Sequence, residues 1–332
     1  MIKKKIAING FGRIGRAAFK IILDRDDMEI IAINDLTDTA TLAHLLKYDS
    51  VYGKFNKEVK QDDNHLYVAG KKIITFSEKD PAALSWRSLD IDVVLECTGI
   101  FRTQELASLH LKAGAKAVII SAPAKDHSTP TYVLGVNTDK KSQENIISNA
   151  SCTTNCIAPV AQIMAENFGI KKAAMTTIHS YTADQNLVDG PHKDLRRARA
   201  AALNIVPTTT GAASAVSQTI PELAGIFDGL AVRVPTPCGS LSDFTFLVKK
   251  KTTVTKVNEV LSAAAASPRY QGILEVSSDP LVSSDIVGNP ASSIVDLTLT
   301  KVIDDDLVKI IAWYDNEWGY ANRLVEMANF VL

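Results

Sequence analysis

Cys152 and Cys156 stand four residues apart in the segment NASCTTNCIAP, residues 149–159. Two thiols at that spacing could form a disulfide, a metal clip, a piece of core, or a nucleophile beside a bystander. A disulfide is disfavoured. On a helix the two are neighbours, but the geometry does not bring their Cβ atoms to the roughly 3.8 Å the bond requires. A metal site would need further Cys or His nearby in sequence, and no metal is expected. The nucleophile reading fits the flanking residues best. Ser151 is placed to cap a helix starting at Cys152, and a thiol at a helix N-terminus has its thiolate stabilised by the dipole, its pKa falling from about 8.5. Cys156, one turn further in, reads as small buried core.

A thiol nucleophile needs a base close in space, though not in sequence. Of the six histidines, His44, His65, His110 and His127 lie on helix or loop patterns that read as solvated, and His192 sits in the charged loop PHKDLRR. His179 ends the apolar strand pattern KAAMTTIHSY, where a strand delivers its last side chains to a cleft. A lone strand-end histidine is as readily structural, so pattern alone leaves the Cys152–His179 pair open.

A second chemical feature lies at the other end of the chain. Gly10, Gly12 and Gly15 form G-x-G-x-x-G directly after a strand pattern and at the start of a helical one. Asp35 closes the next strand pattern, twenty residues past Gly15. In that context the glycines permit a tight turn and close backbone approach, so that a pyrophosphate can sit against the exposed N–H groups of the helix. Asp35 would accept hydrogen bonds from an adenosine ribose and repel a 2′-phosphate.

These residues need elements to hold them. KKIAING, MEIIAIND, DVVLECTG and KAVIISAP read as strands. RIGRAAFKIILDR, TATLAHLLKYD and TQELASLHLKAGA carry apolar residues at helical spacing. HLYVAGKKIITF reads as a hairpin turning at Gly70, a departure from strict alternation. Apolar strands separated by helices imply a parallel sheet covered on both faces. After Ser148 the texture changes. One helix and the KAAMTTIHSY strand are followed by a polar, arginine-rich stretch from Thr182 to about Ala202, too long for an ordinary connection. GLAVRVPTP, LSDFTFLVKKK, SSIVDLTLT and VKIIAWYDN then follow with few helices between them, an α+β texture with an antiparallel or mixed sheet.

Composition sets the outer bounds. The chain has 332 residues, 46% hydrophobic and 22% charged, which suits about two soluble domains. A net charge of −1 gives no overall field for nucleic acid or an anionic membrane, and neither is expected as a partner. Apolar runs are too short to span a bilayer, and MIKKKIAING runs straight into a strand pattern with no room for a signal peptide. Four cysteines in so long a chain fit a reduced, cytoplasmic protein.

Taken together, INGFGRIGR, INDL, SNASCTTNC, TTIHSYTADQ, HKDLRRARAA, PTTTGAA, RVPTP and WYDNEWGY resemble the phosphorylating glyceraldehyde-3-phosphate dehydrogenases, in order from about residue 5 to the C-terminus. The resemblance implies α/β plus α+β architecture. A Rossmann NAD-binding domain would span residues 1–150, completed by a C-terminal helix over 316–332. A mixed or antiparallel catalytic domain would span 151–315. It implies a glycolytic, NAD-dependent homotetramer acting on glyceraldehyde 3-phosphate and inorganic phosphate. Cys152 would attack the aldehyde and His179 would activate it. Thr182 and Arg233 would hold the substrate phosphate, and Ser151, Thr153, Thr210 and Gly211 the attacking phosphate. Arg13, Ile14 and Ser121 would join Gly10, Gly12, Gly15 and Asp35 around the cofactor, with Asn316 orienting the nicotinamide and Tyr320 beside it. Gly190, in LVDGPHKD, departs from the leucine that many NAD-preferring members carry. Two rivals are an erythrose-4-phosphate dehydrogenase, disfavoured by Ser180–Thr182 and Thr208–Gly211, and a non-catalytic NAD-binding protein, which would not need the Cys152–His179 pair.

Overall fold

From Ile6 onward every residue of Lys4–Asn9 is buried, as in a strand covered on both faces. In the computed structural model, which describes residues 3–139 and 142–332, this segment is strand β1 of an eight-stranded sheet. Met1 and Ile2 of the lysine-rich lead-in, and positions 140 and 141 of the expected first domain, lie outside the described residues. The chain packs as two compact units: Met1–Tyr132, Lys140–Ala150 and Ala321–Leu332 form one, and Val133–Asp139 with Ser151–Tyr320 the other.

In the first unit β1 is followed by α1 (Arg13–Leu23), β2 (Met28–Asn34) and α2 (Thr39–Lys47). A two-residue ladder comes next, β3 (Tyr48–Asp49) with β4 (Gly53–Lys54). Then come β5 (Val59–Asp62), β6 (His65–Val68), β7 (Lys71–Phe76), β8 (Val93–Glu96), α3 (Gln104–Lys112), β9 (Ala117–Ile120) and β10 (Ile146–Ser148). The sheet order is β10-β9-β8-β1-β2-β7-β6-β5. The six strands from β10 to β7 are parallel, and β6 and β5 run antiparallel. The β6–β7 hairpin turns at Ala69 and Gly70, whose φ of 50° and 78° match the twist of a tight hairpin. Strand β5 was not visible in the sequence: three of its four residues are exposed, so it lacks apolar alternation. Because β1 has β2 on one side and β8 on the other, the strand order reverses between β1 and β8. An open α/β sheet binds its ligand outside the carboxyl ends of the strands at such a reversal.

The second unit opens with α4 (Cys152–Phe168), a helix buried along most of its length. Strands β11 (Ile170–Ser180) and β12 (Val206–Thr208), helix α5 (Ala212–Thr219), and strands β13 (Phe227–Val234) and β14 (Ser240–Val248) follow. Helix α6 (Val254–Ala265) precedes β15 (Leu274–Ser277), β16 (Ser293–Asp296), β17 (Lys301–Ile303) and β18 (Leu307–Tyr314). The sheet is mixed, ordered β12-β13-β11-β14-β18-β16-β15, with β17 also paired to β18. Strand β14 alternates strictly between buried and half-buried residues, the mark of a sheet with one covered face. The last helix, α7 (Trp318–Val331), starts where the Asp315 carboxylate accepts from the Glu317 and Trp318 N–H groups, and the unit boundary falls inside it, after Tyr320. Among the described residues no helix is long and apolar enough to cross a membrane.

Candidate active site

Two local structures place Cys152. Ser151 caps α4, its hydroxyl accepting from the Thr154 N–H at 3.0 Å. Ala150, just before it, has φ 54°, a left-handed conformation that costs an alanine about 1–2 kcal/mol. The chain thus bends sharply and enters the helix with Cys152 at its first position. His179 arrives from β11, which runs parallel to β13 with His179 opposite Arg233 in register. Neighbouring parallel strands therefore deliver an imidazole and a guanidinium side by side.

The thiol and the imidazole meet: Cys152 Sγ lies 3.4 Å from His179 Nε2. His179 Nδ1 is 2.6 Å from the Ser180 carbonyl oxygen. A carbonyl only accepts, so Nδ1 carries the proton and Nε2 presents its lone pair to the thiol. Burial, then the Arg233 charge, hold the His179 pKa down at about 3. It is therefore a neutral imidazole, its Nε2 lone pair facing the thiol. Burial pushes the Cys152 thiol up, against the downward pull of Arg233 and of hydrogen bonds from Thr153 and the local backbone. Desolvation thus opposes the pull of the helix terminus, and the Cys152 thiol becomes a thiolate by handing its proton to His179.

Arg233 Nη1 donates to Thr182 Oγ1 and to the Ser180 carbonyl, both at 3.2 Å, and lies 3.3 Å from His179 Nδ1, which carries its own proton and does not accept from it. Thr182 and Arg233 are thus together beside the imidazole. Thr153 is placed differently: its hydroxyl is buried and meets Tyr314 Oη at 3.0 Å. Thr210 and Gly211 sit at the start of α5, where Thr210 Oγ1 accepts from the Ala212 N–H at 3.2 Å. Asn316 is buried, its Oδ1 accepting from Ser240 Oγ, which itself accepts from the Ser180 N–H. Tyr320 is buried as well. Cys156 is fully buried, and all four cysteines are free.

In the first unit the three glycines differ in what a side chain would meet. At Gly10, with φ +92°, a Cβ would lie 2.7 Å from the Cys97 carbonyl carbon and the Thr98 nitrogen. At Gly15 it would lie 2.2 Å from the Gly10 carbonyl oxygen, while at Gly12 it would meet nothing within 4 Å. Gly10 makes the turn, Gly15 lets α1 pack on it, and Gly12 leaves the backbone open at the helix start, as a bound pyrophosphate requires. No acidic residue lies in the first turn of α1. Asp35 accepts from the Phe11 N–H at 2.7 Å and the Thr37 N–H at 3.0 Å, tying the second strand end to the glycine turn. Arg13 pairs with Asp49 and lies over the Tyr52 ring, with Ile14 half-buried beside it. The Ser121 N–H bonds the Glu96 carbonyl across the β8–β9 ends. The open backbone at Gly12 and the Asp35 carboxylate beside it suit a pyrophosphate and a ribose.

Residues 4–104 match the NAD binding domain of glyceraldehyde 3-phosphate dehydrogenase, and residues 151–316 match its C-terminal domain. The chain is 53% identical over 330 residues to glyceraldehyde-3-phosphate dehydrogenase 2 of Streptomyces avermitilis. It is 53% identical to glyceraldehyde-3-phosphate dehydrogenase of Geobacillus stearothermophilus and 54% to that of Priestia megaterium, both over 329 residues. Each comparison covers 98% of both chains. The chain belongs to the glyceraldehyde-3-phosphate dehydrogenase family.

Two features of this family member escaped the sequence reading. Tyr314 ends β18 with its hydroxyl between Thr153 and Thr177, at 3.0 and 2.8 Å, and its ring edge-on to His179 at 6.0 Å. Its position in WYDNEWGY was visible, but its partners lie 161 and 137 residues away. Burial pushes its phenol up, so it stays protonated. His110 corrects an expectation. It is fully buried rather than solvated, because α3 turns His110 and Ala107 inward.

Proposed function

We propose that the chain oxidises D-glyceraldehyde 3-phosphate to 1,3-bisphosphoglycerate, with NAD as oxidant and inorganic phosphate as acyl acceptor, as a cytoplasmic homotetramer. The observation that carries this is the Cys152–His179 contact with its assigned tautomer. His179 Nε2 takes the thiol proton as Cys152 Sγ bonds to the aldehyde carbon, and returns it to the new oxyanion. The product is a thiohemiacetal. His179 then removes that hydroxyl proton as the carbon is oxidised to a thioester. Bound NAD supplies the hydride acceptor. Phosphate oxygen attacks the thioester carbon, the C–S bond breaks, and the acyl phosphate leaves Cys152 to be reprotonated by His179. The thioester conserves acyl-transfer energy that hydrolysis would dissipate.

Arg233 and Thr182 hold the substrate phosphate in this reading. The Arg233 Nε, buried without a partner, is a donor that an anion would satisfy. The helix α4 N-terminus, with Ser151 and the backbone of Cys152 and Thr153, faces developing negative charge. Thr153 contributes its N–H, since its hydroxyl is taken by Tyr314. Thr210 and Gly211 complete the attacking-phosphate site. Gly10, Gly12, Arg13, Ile14, Gly15, Asp35 and Ser121 hold the dinucleotide, with Asn316 and Tyr320 at its nicotinamide. An assay of NADH production from glyceraldehyde 3-phosphate, with and without phosphate, tests the reading. Without phosphate, one equivalent of NADH per site should appear and then stall. Sustained turnover in phosphate-free buffer would point to a hydrolytic enzyme instead.

A further inference from the structure

Beneath the glycine turn lies a polar cluster to which the reaction assigns no role. Strands β1, β2 and β8 each end on a buried polar residue, Asn9, Asn34 and Glu96. His110 Nε2 is 3.0 Å from Glu96 Oε2, with both side chains at 0% exposure. The Trp86 indole N–H points at His110 Nδ1 at 3.0 Å. An indole nitrogen only donates, so Nδ1 accepts and the ring proton sits on Nε2, directed at Glu96. Asn9 Nδ2 also donates to Glu96 Oε2, at 2.5 Å, and Asn9 Oδ1 accepts from Asn34 at 2.7 Å. Asn34 closes the chain on the Glu78 backbone. Every amide and ring orientation is fixed by a neighbour.

The other carboxylate oxygen, Glu96 Oε1, accepts from the Thr98 N–H at 2.8 Å and from the Thr98 hydroxyl. The Thr98 turn is the surface against which Gly10 is packed so closely that it admits no Cβ. Four donors on one buried carboxylate thus set the height of the turn that supports the dinucleotide loop, at the point where the strand order reverses. Packing alone would not call for such a cluster: apolar side chains of similar volume fill a core at no desolvation cost.

We propose that the Glu96–His110 pair is a positioning element for the dinucleotide, holding the Thr98 turn against Gly10 so that the glycine loop is ready to bind. This rests on the reading of the first unit as the NAD site. His110 does not touch the reacting atoms, so its loss acts on binding and not on chemistry. His110→Phe keeps the bulk and removes both hydrogen bonds. Its Kd for NAD, measured by calorimetry on the full-length protein, should rise about tenfold to a hundredfold, the effect of stranding a buried polar partner. The NAD KM should rise in parallel, with kcat at saturating NAD within about twofold. His110→Gln keeps one acceptor and one donor and should recover part of the affinity. Glu96→Gln presents an amide N–H to a set in which Asn9, His110 and the Thr98 backbone N–H can only donate, leaving the Thr98 hydroxyl alone able to turn and accept, and should raise the Kd as His110→Phe does.

A merely structural role would lower the melting temperature and leave NAD affinity alone. An unchanged Kd in His110→Phe therefore overturns the proposal, whatever happens to stability. If that variant does not fold, Trp86→Phe decides. It removes the donor that fixes the tautomer, and a Kd unchanged from wild type would overturn the proposal equally. Failure of the unmodified protein to bind NAD would instead overturn the reading of the first unit.

Discussion

Cys152 and Cys156 have the same chemistry and lie one helical turn apart, yet their surroundings assign them different work. Cys152 is half-buried at the helix start, with the His179 lone pair 3.4 Å away. Cys156 is fully buried, its sulfur 3.8 Å from Ser293 Oγ, and desolvation pushes its thiol up to about 12. Stoichiometric iodoacetate should therefore label Cys152 first and abolish activity. Cys152→Ser should lose several orders of magnitude in kcat, because an alcohol gives up its proton far less readily and yields no thioester. Cys156→Ser should lose little; near-normal turnover in Cys152→Ser would remove the covalent mechanism. The sequence disclosed Cys152 because its cause is local: a capping serine and a helix start are written within a few residues. Tyr314 and His110 were not legible for the opposite reason. Each acts through partners many residues away, Thr153 and Thr177 for one and Glu96 and Trp86 for the other. A tyrosine ending an apolar strand, or a histidine on an amphipathic helix, shows nothing of them.

At the scale of elements, cofactor choice is decided where β2 ends and α2 begins. Asp35 directly follows β2, with its carboxylate on the Phe11 and Thr37 N–H groups. Beside it a cavity of about 480 Å³ is lined by Leu36, Asp38, Asp62 and Asp63 among others. Hydrogen bonds from the Asn64 N–H and the Tyr67 hydroxyl hold Asp62 at about 2, so it is anionic at neutral pH. The sequence showed Asp35 through its spacing from the glycines. The other acids were not visible as a group, because the β5–β6 turn that carries Asp62 and Asp63 has no apolar pattern of its own. A 2′-phosphate entering here meets several like charges, and one such pair near a protein surface is worth about a few kcal/mol. If Gly190 removes bulk opposite the cofactor, as the family resemblance implies, added space would still not offset the repulsion of like charges. NAD should therefore be preferred over NADP, with NADP used at reduced kcat/KM. Asp35→Gly should narrow the gap. Equal or higher kcat/KM with NADP in the unmodified protein would show that Gly190 outweighs the acids.

For the whole molecule, the arginine-rich stretch bears on assembly. Arg196, Arg197 and Arg199 would be expensive to bury without partners. In the structure Arg197 meets Asp184 and Asp194, Arg199 meets Asp189, and Arg196 Nη1 reaches the Pro207 carbonyl. Arg197 also braces Thr208 and the Thr209 carbonyl, so the segment is held to the second unit by its own charges. The aliphatic residues of this stretch and of the positions just after it are treated differently. Leu187, Val188, Leu195, Leu203 and Ile205 are each at least 70% exposed. Five large aliphatic side chains exposed within 187–205 are more than scattered surface leucines lead one to expect, and exposed apolar surface of this kind suits an interaction. Burying them would contribute about 10 kcal/mol, of the order needed to offset the lost freedom of association. Charges already paired within the chain would add no desolvated orphan to such a contact. The expected state is a homotetramer with this segment at a subunit interface. Light scattering at micromolar concentration should give four times the chain mass, and Leu195→Glu with Leu203→Glu should yield smaller species that keep the fold by circular dichroism. A monomeric mass for the unmodified protein would refute the assignment, and a tetramer indifferent to both glutamates would place the interface elsewhere.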